Sequence, residues 1–259
     1  MKKIIVFFLI TTLFGCSNTS KSPDMPGTYL MVSQTVNDGT KDTKLTDLKQ
    51  LKIYTDNFFM YTQVNPQDSV STFGVGSYTT DKGKVIENVI YSSQDTTVGE
   101  PNTYNLEISK TPDGYEQFIP EIVIAGQKNK LTEEYHTVGT TDKTPLDGLW
   151  KETKSFNIIK GDTVPNNRTQ YKSFYAGYFM FGQTVRDTTE KSHTGIGFGT
   201  FKMDSDKQIT ETDLNSTYAI IAGNTFTVAI EMDGDDKYKQ TINNANGSTG
   251  VEFYERMKK

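Results

Sequence analysis

Thr225-Phe226-Thr227-Val228-Ala229-Ile230-Glu231-Met232 places Phe226, Val228, Ile230 and Met232 on one side of an extended chain and Thr225, Thr227, Ala229 and Glu231 on the other. A period of two with one apolar and one polar face is a half-buried β-strand. Tyr104, Leu106 and Ile108 alternate with Asn105 and Glu107 in the same way. Between such segments stand Asp113-Gly114, Asp233-Gly234 and Asn246-Gly247, dipeptides able to supply the positive φ of a tight hairpin. Each half of the chain holds roughly eight strand candidates, and only Leu45 to Leu51 reads as helical. The reading is all-β, and antiparallel domains of this size close into barrels or pack as sandwiches to remove exposed edges.

Set against itself at an offset near 120 residues, the chain matches in one order along both halves. Gly27-Thr28-Tyr29 answers Gly148-Leu149-Trp150, and Phe59-Met60 answers Phe179-Met180. Gly74-Val75-Gly76-Ser77-Tyr78 answers Gly197-Phe198-Gly199-Thr200-Phe201. Tyr115-Glu116-Gln117 answers Tyr238-Lys239-Gln240, and Glu133-Glu134-Tyr135 answers Glu252-Phe253-Tyr254. A tandem duplication follows, with repeat 1 over 26–140, a polar, proline-closed linker over 141–145, and repeat 2 over 146–259.

The start has the architecture of a secretory signal over residues 1–15: Lys2 and Lys3, then a run from Ile4 to Phe14 too short to span a bilayer. Leu13-Phe14-Gly15-Cys16 resembles the bacterial lipobox, in which the cysteine thiol is acylated, for example with palmitate, and becomes the first mature residue. Residues 16–25 then form a small, polar tether expected to be disordered. Two or three acyl chains hold a protein durably to a membrane without spanning it. Cys16 is the sole cysteine, so its lipidation leaves no thiol for a disulfide, a nucleophile or a metal site. Losing Lys2 and Lys3 with the leader takes the formal net charge from −5 to −7, which argues against nucleic acid as a partner. Ser17 rather than an aspartate after the cysteine points by analogy to outer-membrane delivery, and the lack of an acidic cluster in the tether to the periplasmic face, with the cell surface as the other destination.

Gly148-Leu149-Trp150 at the start of repeat 2 and Tyr254-Glu255-Arg256 at its end resemble the lipocalin and wider calycin superfamily. There a Gly-x-Trp on the first strand meets an arginine from the last and closes the barrel floor. The spacing of Tyr171–Phe181, Gly195–Phe201 and Phe226–Met232 is similar to that of small lipocalin-like domains in Bacteroidetes lipoproteins. The resemblance implies two tandem lipocalin-like barrels, with Trp150 and Arg256 as a structural floor. Repeat 1 has Tyr29 for the tryptophan and Thr137 for the arginine, so a retained ligand site is expected in repeat 2.

Two histidines, His136 and His193, stand at non-equivalent places and supply neither a triad nor a multi-histidine metal site. Gly195-Ile196-Gly197-Phe198-Gly199 lacks the strand-before, helix-after setting of a phosphate loop and reads as a curved or bulged strand. Asp233-Gly234-Asp235-Asp236 reads as a hairpin turn, with calcium binding the alternative. Phe179, Phe181, Phe226, Tyr238 and Tyr254 either fill a core or line a ligand cavity. Glu252, Tyr254 and Arg256 share one face of the last strand, and a catalytic reading would use them in proton transfer. The structural alternative lays Arg256 on Trp150 and puts Glu252 in an ion pair. The expected function is a non-catalytic, membrane-anchored binding protein for a small apolar or amphiphilic ligand, without cofactor. The alternative is a cell-envelope module with filled barrels that contacts proteins or glycans.

Overall fold

A computed structural model describes residues 23–66, 69–93, 102–124, 126–186 and 191–259. The leader 1–15, Cys16 and the tether as far as Ser22 lie outside the described residues. The chain forms two closed, eight-stranded antiparallel barrels in tandem, an arrangement consistent with a two-domain lipocalin-like fold. The first comprises β1 (Gly27–Asn37), β2 (Asp42–Leu45), β3 (Lys49–Tyr54), β4 (Phe58–Val64), β5 (Ser71–Asp81), β6 (Lys84–Ser92), β7 (Asn102–Thr111), β8 (Gly114–Ile124) and β9 (Gln127–Val138). The second comprises β10 (Gly148–Ile159), β11 (Asp162–Pro165), β12 (Arg168–Tyr175), β13 (Tyr178–Arg186), β14 (Ser192–Ser205), β15 (Gln208–Ser216), β16 (Thr225–Asp233), β17 (Lys237–Asn243) and β18 (Thr249–Arg256).

Each barrel is an up-and-down meander that closes by pairing its first and last strands, β1 with β9 and β10 with β18. The short β2 and β11 are ninth strands that fold back on the far half of β1 and β10, on the same edge as β3 and β12. A bulge between Met31 and Ser33, repeated between Glu152 and Lys154, bends the long first strand so that both its halves find partners. Val228 and Ile230 are buried while Thr225, Thr227, Ala229 and Glu231 are exposed, the alternation read from the sequence.

Leu45 to Leu51 is not helical: Leu45 ends β2 and Leu51 lies in β3. Its leucines, Leu45, Leu48 and Leu51, recur every third residue, but the chain passes there from β2 through a short connection into β3, which is buried on both faces from Gln50 onward. Gln50 and Lys52 point into the first barrel, while Leu51 and Ile53 point outward and are covered by the second barrel. The described part of the tether is also packed, since Met25 is buried in the first core and its carbonyl accepts from the Tyr29 hydroxyl at 2.9 Å. Asp113-Gly114 forms a turn, but Gly114 does not have positive φ; it opens β8 against the Tyr135 carbonyl, leaving no room for a Cβ. Gly234 and Gly247 do have positive φ.

An apolar cluster lies inside each barrel, one around Tyr54, Phe59 and Tyr135 and the other around Trp150, Phe174, Phe179 and Tyr254. A third cluster lies between the barrels: Leu51, Ile53, Phe58, Met60, Phe73 and Val75 meet Leu149, Tyr171, Met180, Ile196 and Phe198. The outer faces of β3, β4 and β5 therefore dock on those of β12, β13 and β14. Phe73 fills a notch at Gly182, where a Cβ would stand 2.3 Å from the Phe73 ring. Ser71 Oγ donates to the Thr194 carbonyl at 3.3 Å and Thr28 Oγ1 to that of Tyr175 at 3.0 Å, so hydrogen bonds border the apolar contact.

Candidate functional site: a duplicated polar interior

The strand registers match the repeats residue by residue. Tyr29 pairs with Lys52 and Trp150 with Lys172, so these lysines are equivalent. In the same manner Gln50 corresponds to Gln170, Glu87 to Glu211, Gln117 to Gln240, Glu133 to Glu252 and Tyr135 to Tyr254. All twelve side chains point inward, and all but Glu252, which is slightly more open, are buried. Burying charge costs several kcal/mol per ion unless it is paired and hydrogen-bonded, so each site must satisfy itself internally.

In the first barrel Lys52 Nζ lies 2.8 Å from Glu87 and donates to Gln117 Oε1 at 3.2 Å. The Gln117 amide donates in turn to Glu133, as does the Tyr135 hydroxyl at 2.8 Å. Gln34 donates to the other oxygen of Glu133 at 2.7 Å, and Gln63 to Gln50 at 2.6 Å. Burial pushes the Glu133 carboxyl above its ordinary value, against the pull of Lys52 and of its neutral donors.

The second barrel repeats the chain of contacts. Lys172 Nζ lies 2.5 Å from Glu211 and donates to Gln240 at 3.2 Å; Gln240 donates to Glu252 at 2.5 Å and the Tyr254 hydroxyl to Glu252 at 2.6 Å. One addition distinguishes it: Arg168 is bonded to Glu152 at 2.5 Å and to Glu252 at 2.7 Å. Their counterparts in the first barrel are Met31 for Glu152, by register, and Leu48 for Arg168, since Leu48 precedes Lys52 in the sequence by as many residues as Arg168 precedes Lys172. Burial pushes the Glu252 carboxyl up, but Arg168 and Lys172 outweigh it and hold the group below its ordinary value. The two equivalent glutamates are thus shifted in opposite directions by the presence or absence of one guanidinium.

The first barrel contains a cavity of about 650 Å³. Gln34, Gln50, Lys52, Gln63, Glu87, Gln117 and Glu133 line it together with Tyr61 and Tyr104, and Ile122, Val123, Ile124 and Leu131 add an apolar wall. Val123 and Ile124 are 62% and 40% exposed whereas Lys52 and Gln117 are 3% and 2% exposed, so the mouth is apolar and the deep wall polar.

Phe179, Tyr238 and Tyr254 belong to the close-packed core of the second barrel, with Phe181 and Phe226 partly buried against it. None of the five lines the first barrel's cavity. Tyr238 stacks on Tyr254 at 4.7 Å and meets Trp150 edge-on at 4.7 Å. The Arg256 guanidinium lies 4.0 Å from the Trp150 ring centroid and donates to the Pro145, Asp147 and Asp235 carbonyls, which occupies the group structurally. Trp150 Nε1 donates to the Leu146 carbonyl at 2.7 Å as Tyr29 does to Met25, so Tyr29 and Trp150 pin the segment four residues upstream in the same way. Glu252 is in an ion pair with Arg168. His136 and His193 are exposed on different barrels.

Gly195 to Gly199 runs within β14, and the register slips between Phe198 and Gly199, as it does between Val75 and Gly76 in β5. Asp233 to Asp236 is the turn from β16 to β17, and Asp236 pairs with Lys258 at 2.5 Å. Among the described residues no group of three or more His, Cys, Asp or Glu side chains is arranged to hold a metal ion. The lysines, Gln50 and Gln170, and Glu87 and Glu211 were not singled out in the sequence, although Gln50-Leu51-Lys52 and Gln170-Tyr171-Lys172 repeat at the duplication offset. No protein-family model matches the chain, and no curated protein is significantly similar to it.

Proposed function

We propose that this protein is a membrane-tethered binding protein that holds one small amphiphilic molecule in its first barrel. The carrying observation is the cavity of about 650 Å³ with its polar depth and apolar mouth, a size within the range of small-molecule sites. A molecule that buries a hydrogen-bonding head against the Gln and Glu side chains and leaves its tail against Ile122, Val123 and Ile124 satisfies both surfaces. In this reading the site lies in repeat 1 rather than repeat 2, because Arg168 already pairs with Glu252, the equivalent of the cavity-lining Glu133, in the second barrel. The second barrel covers the outer face of the first.

The lipobox-like Leu13-Phe14-Gly15-Cys16 supports anchoring through a lipid on Cys16, with the barrels on the periplasmic side of an outer membrane. Native mass spectrometry of the full-length protein, purified from its host in mild detergent, tests the binding reading. One bound molecule per chain is expected, lost when Val123 and Ile124 are replaced by aspartate. A protein that comes out empty and takes up no amphiphile rejects the reading. Metabolic labelling with an alkyne fatty acid tests the anchor, with labelling expected in the native chain and absent in Cys16→Ser.

A further inference from the structure

The two barrels differ at the point that chooses the ligand's charge. In the second, Glu252 faces the guanidinium of Arg168, which Glu152 holds in place through Nε and Nη2. In the first, with Leu48 and Met31 at those positions, the donors to Glu133 are Gln34, Gln117 and Tyr135, all neutral, and Glu133 lines the open cavity. Among the described residues no cation lies within ion-pair distance of Glu133.

The other charged groups on the cavity wall, Lys52 and Glu87, answer one another at 2.8 Å. Lys52 is occupied further by Gln117 and by the rings of Tyr54 and Phe59, 5.1 and 5.6 Å away. Among the described lining residues two carboxylates therefore share one cation, and Glu133 is the carboxylate that this cation does not touch. Two tyrosine rings, Tyr61 and Tyr104, line the same space, and aromatic faces attract organic cations.

We propose that the first barrel selects an amphiphile with a cationic head, a protonated amine or guanidinium, which pairs with Glu133 as Arg168 pairs with Glu252 inside the second barrel. This rests on the binding reading above and names the chemical class of its ligand. Arg168 acts as a built-in occupant: the second barrel carries in its own chain the group that the first takes from outside. The raised proton affinity of Glu133 agrees, since burial outweighs the pull of Lys52 and a cation in direct contact would favour the charged form.

The test is isothermal titration of the full-length protein with decylammonium, decanol and decanoate, which share a tail and differ in head charge. Decylammonium is expected to bind once per chain, about tenfold or more tighter than decanol, a charge-assisted bond being about twice a neutral one, and decanoate more weakly still. Glu133→Gln should remove the preference for decylammonium over decanol while decanol binding persists. Leu48→Arg with Met31→Glu should close the first barrel to all three probes. Arg168→Leu with Glu152→Met should raise the stoichiometry from one to two.

Circular dichroism and thermal unfolding accompany each variant, and the Glu133→Gln comparison stands on its own if a double variant fails to fold. Equal or tighter binding of decanoate, or an unchanged preference in Glu133→Gln, overturns the cationic class and leaves a ligand cavity. Failure of every probe, together with an empty protein from the host, overturns the binding reading itself.

Discussion

Tyr29 and Trp150 show how one position carries the same structural task with different chemistry. Both donate to a carbonyl four residues back and both meet a tyrosine edge-on, Tyr115 at 4.8 Å and Tyr238 at 4.7 Å. Only Trp150 has an arginine over its face, because Thr137 stands opposite Tyr29 where Arg256 stands opposite Trp150. As the sole tryptophan and fully buried, Trp150 should give blue-shifted fluorescence shielded from acrylamide, and Arg256→Ala should raise its quenching. Asp213 carries a second residue-scale prediction. It lies opposite Gly199 where repeat 1 has Val89 opposite Gly76, and one of its carboxylate oxygens has no partner. Burial, with Glu211 nearby, pushes its pKa from 3.8 to about 7. Below about pH 4 the group is protonated both folded and unfolded. As pH rises toward 7 the unfolded chain loses the proton first, so stability falls and the full cost persists above 7. Asp213→Asn should therefore raise stability by about 1–3 kcal/mol at pH 8, a tenfold change in proton affinity being worth about 1.4 kcal/mol before solvent screening, and change little at pH 4. Urea unfolding at the two pH values measures it.

At the scale of the strand, β5 and β14 show why glycines recur. Gly76 and Gly199 sit at the register slips, where an added Cβ would lie 2.1 and 1.9 Å from the Asn88 and Thr212 carbonyl oxygens. These are backbone atoms, which cannot move aside, so Gly199→Ala should cost about 3 kcal/mol, at the upper end of overpacking, read from the denaturation midpoint. The residues between the glycines, Val75, Ile196 and Phe198, face outward into the other barrel. A strand with glycine on one face and large apolar groups on the other is half legible as sequence: the bulge was, and the second buried face was not. Leu45 to Leu51 was a false helix because Leu45, Leu48 and Leu51 recur every third residue while the chain in fact leaves β2 and enters β3. Period-two reading assumes one wet face, and β3 has none over Gln50 to Tyr54.

Across the whole molecule, the two barrels are joined by more than the linker. Thr140 N donates to the Ala176 carbonyl at 2.8 Å, so the connection is fastened to the second barrel as soon as it leaves the first. The apolar interface makes unfolding of one barrel expose the outer face of the other, which predicts a single cooperative transition for the native chain. Phe73→Ser removes a fully buried ring from that interface, and about 3–5 kcal/mol is at stake for such a truncation. Calorimetry should then resolve two transitions. Gly182→Val, which blocks the notch that receives Phe73, should act in the same direction. A variant that keeps one sharp transition would show that the barrels are coupled elsewhere.

Alternation along each segment, and order along the repeats, determined the all-β class and the two copies, because side-chain period and duplication are local properties of a chain; closure into barrels rather than sandwiches was only implied by a family resemblance and is decided by the pairing of β1 with β9 and β10 with β18. The floor pair of Trp150 and Arg256 was legible only through the resemblance of Gly148-Leu149-Trp150 and Tyr254-Glu255-Arg256 to a known motif, and the structure lays the guanidinium on the indole. Which aromatics fill a core and which line a space depended on tertiary structure, since alternation groups residues on a face without saying what lies beyond it. So did the polar interior. Gln50, Lys52, Glu87, Gln117 and Glu133 are spread over four different strands, and only closure of the barrel brings them together. The difference between neutral donors at Glu133 and a guanidinium at Glu252 was likewise written in Leu48 and Arg168, but Arg168 does not show which glutamates it faces until β12 takes its place beside β10.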